Sequence, residues 1–319
     1  MSEIVTFGET MLRLSTPTGE RLETSRELDL RIGGAESNVA VTAARLETDA
    51  TWLSKLPDSP LGRRVTHELR GHGVDPEVCW DDSNRQGLYF IEKGSAPRET
   101  NVIYDRSETA IATASPTDFD RSTIADASIF FTCGITPALS DRLAETTKEL
   151  LETARSAGTT TAFDINYRSK LWSPSEARDR LSELLPDIDV LVTAQRDART
   201  VFGYEGHPSD IAAALCTDFD FRTVIVTCGR EGAIARHNGT LFEQPAFETE
   251  AVDPVGTGDA FVGGFLSRRL DGDSLSDALT YASATAALKQ TVEGDLAVVT
   301  PAEVEKLLAA EGSGSGIMR

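Results

Sequence analysis

The sequence predicts an α/β fold in which a mostly parallel sheet has helices on both faces and a small β-sheet lid lies beside it. Short apolar stretches with strand character alternate with segments of helical periodicity along the 319 residues, which is typical of consecutive βαβ units. Two stretches, 11–32 and 86–106, show strand-like alternation with no helix after them. Since α/β chains of this length often form one layered unit, we predict a single domain over residues 1–312 and a flexible tail over 313–319.

The first elements of the main layer are a strand, a helix, a strand and a helix. They are "IVTFGE", "ESNVAVTAARLE", "ATWLSKL" and "LGRRVTHELRGHG", the last of which ends in a glycine suited to a helix C-terminus. The stretches 11–32 and 86–106 interrupt this alternation. We expect them to form a small antiparallel sheet, the lid, because their apolar residues alternate with the period of a strand.

The second half of the chain repeats the alternation. The apolar strands are "ASIFFTCG", "TTTAFDIN", "DVLVTA" and "FRTVIVTCG". One intervening helix opens with a capping box, with Ser173 as N-cap, Pro174 at N1 and Glu176 at N3. Asn238-Gly239 predicts a hairpin with a type I′ turn. Three helices, "DAFVGGFLSRRL", "SLSDALTYASATAALKQ" and "PAEVEKLLAA", complete the fold, so helices are available for both faces of the sheet.

The composition is strongly acidic. The chain has 51 Asp and Glu against 31 Lys and Arg, a formal net charge of −20, and only six of its basic residues are lysine. Such a surface argues against nucleic acid as a partner, because a polyanion would be repelled. One interpretation is adaptation to high salt, since screening shortens the charge repulsion and hydrated carboxylates keep a protein soluble. An ordinary acidic cytosolic enzyme is the other interpretation.

The cysteines and the apolar runs bear on the compartment. Cys79, Cys133, Cys216 and Cys228 follow neither a CxxC nor a zinc-ligand spacing, so we expect buried thiols in a reducing compartment. No apolar run approaches the ~18 residues of a membrane span, and "MSEIVTFGETM" lacks the basic region of a signal peptide. We therefore expect a soluble, cytoplasmic protein with no membrane partner.

The stretch "AVDPVGTGDAFVGGFL", residues 251–266, carries the main chemical signal. Gly256 and Gly258 free the backbone N–H groups of a tight turn, and the following helix adds the positive end of its dipole, so the turn predicts an anion hole for phosphate. Neither a Walker A loop nor a Rossmann fingerprint occurs. Asp259 would accept a proton from a hydroxyl that attacks phosphorus. A helix-capping acid is its other interpretation.

Two motifs resemble the signatures of one family. "DPVGTGDAF" resembles the C-terminal signature D-T-x-G-A-G-D of the ribokinase (PfkB) family of carbohydrate kinases, and "IGGAESNVA" resembles its N-terminal signature. The resemblance runs from residue 1 to about 310. It implies a ribokinase-like fold and ATP-dependent phosphorylation of a primary hydroxyl. "GLYFIEKG", "IYDRSETA", "CGITPALS" and "FDINYRSKLW" are similar to 2-keto-3-deoxygluconate kinases, which implies conversion of 2-keto-3-deoxygluconate to 2-keto-3-deoxy-6-phosphogluconate in sugar-acid breakdown.

A sugar acid carries a carboxylate that needs a fixed positive donor. Arg106 and Arg168 are the candidates, because a guanidinium offers a planar bidentate fork. The alternative interpretation of Arg168 is a surface ion pair. For Gly33 and Gly34 the alternative is a plain turn between a strand and a helix, and for Tyr89 and Tyr104 it is packing within the lid. The resemblance implies that the substrate also contacts Gly33, Gly34, Asn38, Tyr89, Tyr104, Ile135 and Asp295.

The resemblance also implies a nucleotide site. Mg²⁺ is expected because the β- and γ-oxygens of ATP need their charge neutralised. The family's Asn-x-x-Glu motif is replaced here by Ala194 and Asp197, so we assign no protein metal ligand. A potassium site beside Asp253 is common in the wider family, and the sequence leaves it open. The implied ATP contacts are Asn166, Arg168, Thr227, Gly229, Gly232, Gly256 and Gly258.

These inferences give one reaction and two alternatives. Asp259 would be the base, the amides of Gly256, Thr257 and Gly258 would stabilise the transferred phosphoryl group, and the partners would be a small sugar acid and ATP. We expect a homo-oligomer, because lids of this kind often pair across a dimer. The nearest alternative is another PfkB sugar kinase, such as a fructokinase, which needs no carboxylate clamp. The second is a catalytically silent sugar- or nucleotide-binding regulator, which needs no base.

Overall fold

Short runs rich in Val, Ile, Phe and Thr form the strands. The computed structural model describes residues 2–94 and 97–312, so the tail expected over 313–319 lies outside the described residues. The strands are β1 (Ile4–Phe7), β2 (Met11–Ser15), β3 (Asp29–Gly33), β4 (Ala50–Pro57), β5 (Asp75–Asp81), β6 (Leu88–Glu92), β7 (Asn101–Asp105), β8 (Ile129–Cys133), β9 (Thr160–Asp164), β10 (Val190–Ala194), β11 (Thr223–Thr227), β12 (Ala233–His237) and β13 (Thr240–Gln244).

The helices follow the apolar periodicity of the sequence. Ser173 and Glu176 form the expected capping box at the start of one of them. Another begins at the N-cap Ser140 and ends at Gly158, whose φ of 84° suits a helix end. The helices are α1 (Ala35–Arg45), α2 (Pro60–Gly71), α3 (Arg121–Ala125), α4 (Asp141–Ala157), α5 (Pro174–Leu184), α6 (Gln195–Asp197), α7 (Pro208–Phe219), α8 (Thr257–Leu270), α9 (Leu275–Gln290) and α10 (Pro301–Gly312).

The large sheet has nine strands in the order β13-β12-β11-β10-β9-β8-β1-β4-β5. All neighbours from β11 to β5 pair in parallel, and β12 and β13 add an antiparallel hairpin at one edge. Asn238 and Gly239 have φ of 47° and 83°, as a type I′ turn requires. The mostly parallel sheet is thus confirmed, whereas the edge strand β5 and helix α7 were not foreseen from the sequence.

Successive residues of the central strands face two different apolar layers. In β8, Ile129 and Phe131 pack into the layer beneath α1, α8 and α9, whereas Phe130 packs into the layer beneath α4, α5 and α7. Helices therefore cover both faces of the sheet, as predicted. No helix in residues 2–94 and 97–312 is both long and apolar enough to cross a membrane.

The small sheet, which we call the lid, has four strands in the order β3-β2-β6-β7. Its two hairpins are antiparallel, but the central pair is parallel, with Leu12 opposite Leu88. The prediction of an antiparallel lid is wrong at this pair. The reason is the connectivity: β2 follows β1 and β6 follows β5 through short connections, and β1 and β5 run in the same direction within the parallel sheet.

Candidate active site

The candidate site lies at the edge of the large sheet where the parallel strands end. The strands β1, β8, β9, β10 and β11 all have their carboxyl ends there, which is where open α/β sheets bind ligands. The lid contacts the same edge: Arg106, just after β7, pairs with Glu9, just after β1. The site is therefore enclosed by loops of the sheet on one side and by the lid on the other.

The predicted anion hole forms the N-terminus of α8. Gly256 is the N-cap with φ of 81°, and the N–H groups of Gly256 and Gly258 have no hydrogen-bond partner in the described part of the chain. The amide of Thr257 makes one bond, of 3.3 Å, to the carbonyl of Pro254. A Cβ added to Gly258 would have no described atom within 4 Å, so open space lies in front of it. Two unpaired amides and a helix dipole can therefore receive an anion.

Asp259 lies in the first turn of the same helix, half-buried. The side-chain amide of Asn38 donates to its Oδ2 over 2.7 Å. Burial raises the pKa of Asp259 to about 6, and the hydrogen bond from Asn38 and the charge of Arg168 act in the opposite direction. A carboxylate with this pKa is ionised near neutral pH and still basic enough to take a proton in a transition state.

Neighbouring residues pack tightly against the two glycines that precede α1. A Cβ at Gly33 would collide with the hydroxyl of Tyr89, and one at Gly34 would collide with the carbonyl oxygen of Glu9. Asn38 uses both ends of its side-chain amide, since its Oδ1 accepts from the N–H of Gly34 over 3.4 Å while its Nδ2 holds Asp259. These glycines are therefore explained by close packing under the lid, and Asn38 by the orientation of Asp259.

Two further carboxyl groups, not named as site residues from the sequence, follow the ends of neighbouring strands: Asp164 ends β9, and Asp197 lies in α6 after β10. Burial raises the pKa of Asp164 to about 8, and the charges of Asp197 and Asp259 add to this effect. Burial also raises the pKa of Asp197, against the charges of Arg196 and Arg168. The local signal was the strand end "FDIN", where a polar pair follows a buried strand. A bound cation would relieve the repulsion that Asp164 experiences from Asp197 and Asp259.

Asn166 and Arg168 follow Asp164 at the end of β9. Asn166 has φ of 40°, an uncommon value for a residue other than glycine, and its N–H donates to Asp164 Oδ1 over 3.0 Å. Arg168 is half-buried, donates to the carbonyl of Tyr167 over 3.1 Å, and lowers the pKa of Asp259 through its charge. The structure thus brings both predicted residues to the carboxylate cluster.

The lid supplies the wall that carries the other predicted residues. Tyr89 is buried and donates its hydroxyl to Asp295 Oδ2 over 2.6 Å, and its ring stacks on Tyr104 at 6.1 Å between centroids. The Arg106 guanidinium lies 5.4 Å from the centre of the Tyr104 ring and donates to Glu9 Oε2 over 2.5 Å. Its buried Nε has no hydrogen-bond partner among the described residues. Glu9 was not foreseen from the sequence.

The remaining predicted residues lie at the ends of β8 and β11. Ile135 is half-buried at the turn after β8 and packs against the core. Thr227 ends β11, and Gly229 has φ of 60° with no described atom within 4 Å of an added Cβ. A Cβ at Gly232 would collide with the carbonyl oxygen of Gln244. Gly229 thus faces open space at the site edge, whereas close packing of the hairpin requires Gly232.

Comparison with known proteins agrees with this fold and geometry. Residues 1–302 match the family described as pfkB family carbohydrate kinase. A 2-dehydro-3-deoxygalactonokinase from Haloferax volcanii is 62% identical over 318 residues, covering 100% of this chain and 99% of that protein. A 2-dehydro-3-deoxygluconokinase from Thermoproteus tenax is 31% identical, covering 97% and 95%. The crystal structure of a 2-dehydro-3-deoxygluconokinase from Thermotoga maritima superposes with a TM-score of 0.92 at 34% identity, covering 97% of this chain and 98% of that one. The chain therefore has the ribokinase-like fold and belongs to the pfkB family of carbohydrate kinases.

Proposed function

We propose that this carbohydrate kinase transfers the γ-phosphoryl group of ATP to the terminal hydroxyl of 2-keto-3-deoxygluconate, with Asp259 as the general base. The observation that carries the proposal is the first turn of α8, where a half-buried carboxylate follows directly after the two unpaired amides of Gly256 and Gly258. The names of the relatives from Haloferax volcanii and Thermoproteus tenax support a sugar acid of this class as the acceptor.

The proposed site groups act on the proton of the attacking hydroxyl and on the charge of the transferred phosphoryl group. Asp259 Oδ takes the proton of the attacking hydroxyl, and Asn38 holds the carboxylate in place while it does so. The amides of Gly256 and Gly258 donate to the oxygens of the transferred phosphoryl group, with a weaker contribution from Thr257, whose N–H is shared with Pro254. The positive end of the α8 dipole adds to the same stabilisation.

The nucleotide would lie along the ends of β9, β10 and β11, against the unfilled space at Gly229. Asp164 and Asp197 fit Mg²⁺, because Asp197 is buried and opposes the ionisation of Asp164, and Mg²⁺ takes one or two carboxylates together with water and phosphate. When bound, Mg²⁺ would neutralise charge on the β- and γ-oxygens of ATP. The other proposed ATP contacts are Asn166, Arg168, Thr227, Gly232, Gly256 and Gly258.

The substrate carboxylate would be held by Arg106 and Arg168. Glu9 fixes the Arg106 guanidinium through one nitrogen and leaves its Nε–H unpaired, so the group is oriented before the substrate arrives. Arg168 would approach from the opposite wall of the cleft. The other residues that we propose to contact the sugar acid are Gly33, Gly34, Asn38, Tyr89, Tyr104, Ile135 and Asp295.

The epimer 2-keto-3-deoxygalactonate is the second candidate substrate. The 62% identical relative is named for this compound, since 2-dehydro and 2-keto denote the same group. The two acids differ in the configuration of one hydroxyl. A site that accepts both would show comparable kcat/KM values, whereas a hydrogen bond that reads this hydroxyl would separate them.

A coupled assay of ADP release in molar KCl with Mg²⁺ and ATP tests the proposal, with both keto-deoxy acids, fructose, ribose and adenosine offered in parallel. We expect turnover of the acids and not of the neutral substrates. Asp259→Asn should lower kcat by about 100-fold or more with a modest change in KM. A kcat within a few-fold of the unmodified enzyme would remove Asp259 from the base role.

The carboxylate clamp is tested in the same assay by Arg106→Ala, which should raise KM for the acids by about tenfold or more. Arg85→Ala is the matched control, because Arg85, just before β6, is also paired with a carboxylate, that of Asp105 in the lid, and is more exposed. Turnover of fructose or ribose instead of the acids would leave the kinase activity established. It would also show that Arg106 and Arg168 do not determine the specificity.

A further inference from the structure

Lys289 is the only lysine among the described residues that is completely buried, with 0% of its surface exposed. It lies in the last turn of α9, and its ammonium donates to the carbonyl oxygens of Asp253, over 2.8 Å, and Val292, over 3.3 Å. Lysine is almost never fully buried unless its charge is compensated. The proposed reaction gives this ammonium no task, so its place in the molecule needs an explanation.

The charge of Lys289 belongs to a buried cluster of charged side chains. Arg13 donates to Asp253 Oδ2 over 2.6 Å and to Asp295 Oδ1 over 2.5 Å, and all three side chains are buried. Two cations, Arg13 and Lys289, therefore face two carboxylates. Burial lowers the pKa of Lys289, and the charges of Asp253 and Asp295 act in the opposite direction. Arg13 and Lys289 thus offset the charges of Asp253 and Asp295, and the charge of Asp259 also acts on Lys289.

The cluster supports the loop that forms the anion hole. Asp253 is three residues before Gly256, and the N–H groups of Val252 and Asp253 donate to the carbonyl of Gln290 over 2.8 and 3.1 Å. A Cβ at Gly256 would collide with the backbone of Asp295. The ammonium thus joins carbonyl groups from the two segments that pack against each other below the anion hole, and its charge also lowers the pKa of Asp259.

A potassium ion beside Asp253 does not fit this arrangement. Potassium is held by several carbonyl oxygens that replace its hydration shell, and here the Asp253 carbonyl is bonded to the ammonium while both Asp253 carboxylate oxygens accept other hydrogen bonds. A second cation at this carbonyl would also be repelled by the Lys289 ammonium and the Arg13 guanidinium. We propose that the Lys289 ammonium replaces the potassium ion as a built-in monovalent cation, so that this kinase needs none.

The first test uses the unmodified protein and two readouts. Potassium is titrated into an enzyme held in molar sodium chloride, and rubidium-86 binding is measured by equilibrium dialysis in molar choline chloride. We expect a flat rate and no saturable rubidium site. A saturable rise of about tenfold in kcat with potassium, or a saturable rubidium site in the unmodified protein, would overturn the proposal. The rate measurement depends on the proposed kinase function, whereas rubidium binding does not. Failure of the proposed function can therefore be distinguished from failure of the proposal about Lys289.

The second test removes the charge and keeps the unbranched side chain. Lys289→Met should lower kcat by about tenfold in sodium chloride, regain rate when potassium is added, and acquire a saturable rubidium site. Lys306→Met is the control for the same chemical change at an exposed position on α10. A Lys289→Met rate that no monovalent cation restores would overturn the equivalence of ammonium and potassium. If this variant does not fold, the titration and dialysis of the unmodified protein still decide the question.

Discussion

Asn38 controls the ionisation of the proposed base. Its side chain donates to Asp259 Oδ2 over 2.7 Å and thereby favours the charged carboxylate. Asn38→Ala removes this bond, so the pKa of Asp259 should rise further above about 6. Because a general base acts only when it is deprotonated, the acid limb of the kcat/KM profile should move to higher pH, with the largest loss of activity below neutral pH. The profile is measured with saturating MgATP in molar KCl.

Ser37→Ala is the control for this prediction. Ser37 lies in the same turn of α1 and donates to the carbonyl of Gly34 over 3.0 Å, so its loss disturbs the turn and leaves the bond to Asp259 in place. An acid limb that stays at the same pH in Asn38→Ala would mean that a group other than Asp259 titrates in the profile.

Glu36 is a second titrating group, beneath the site. It is buried in the first turn of α1 and accepts from Thr136 Oγ1 over 2.6 Å and from the N–H of Cys133 over 3.1 Å. Burial raises its pKa to about 7 from 4.5. The folded state therefore keeps a proton that the unfolded state releases, so the contribution of Glu36 to stability is lost as pH rises from about 4.5 to about 7.

Glu36→Gln should remove this penalty because the amide does not ionise and still offers an oxygen to Thr136. The variant should be more stable than the unmodified protein at pH 8 by on the order of 3 kcal/mol at most, and the difference should shrink below pH ~5. Urea unfolding at both pH values in the same KCl concentration measures it. An equal difference at both pH values would show that packing, and not ionisation, distinguishes the two side chains.

The sequence predicted those site residues that belong to a local motif. Asp259 and the two glycines before it stand within seven residues of Asp253, and their spacing alone predicts an anion hole beside a carboxylate. Unlike Asp164, which ends strand β9, Glu9 and Lys289 could not be found in this way. Each is one acidic or basic residue among many, and its role depends on a partner far along the chain, such as Arg106 for Glu9.

At the scale of the element, the N-terminus of α8 contains two glycines in different environments. Gly256 has φ of 81° and abuts the backbone of Asp295, whereas Gly258 has open space where its Cβ would lie. Gly258→Ala should therefore leave the unfolding midpoint unchanged or slightly raised, since alanine favours a helix over glycine by about 1 kcal/mol, and should raise KM for ATP. Gly256→Ala should lower the midpoint as well, because the loop must move.

Thermal unfolding in the absence of ligand and steady-state kinetics with varied ATP measure the two effects separately. The pair serves as its own control, since both substitutions add one methyl group within three residues. A Gly258→Ala enzyme with normal KM and kcat would mean that the transferred phosphate does not approach this amide.

The lid shows what a sequence pattern leaves undecided. Alternating apolar residues predicted its strands, yet the direction of the central pair depends on where β2 and β6 leave the large sheet. Strand β5 has acidic residues at both ends and only one buried residue, Pro76, as an edge strand allows, so it lacks the apolar run that marks the central strands. Strand pairing joins distant segments, and the local pattern contains no information about it.

At the scale of the whole molecule, the oligomeric state and the adaptation to salt are predictions. Sedimentation velocity tests the expected homo-oligomer. The acidic surface makes a sharper prediction, because its consequence depends on ionic strength in a known way. The net charge of −20 is spread along the whole chain, so repulsion acts between many distant carboxylates at once. At 0.01 M salt these charges interact over about 30 Å, and at 1 M over about 3 Å.

We propose that the folded state is adapted to concentrated salt, and we expect the melting temperature to rise steeply from tens of millimolar to molar KCl. Screening of repulsion does not distinguish potassium from sodium, so NaCl at equal ionic strength should give the same rise. Circular dichroism melts in the two salts measure both expectations. A melting temperature that is equal at low and molar salt would make this an ordinary acidic enzyme. A rise confined to KCl would instead indicate specific potassium binding, which the hydrogen bond from the Lys289 ammonium to the Asp253 carbonyl argues against.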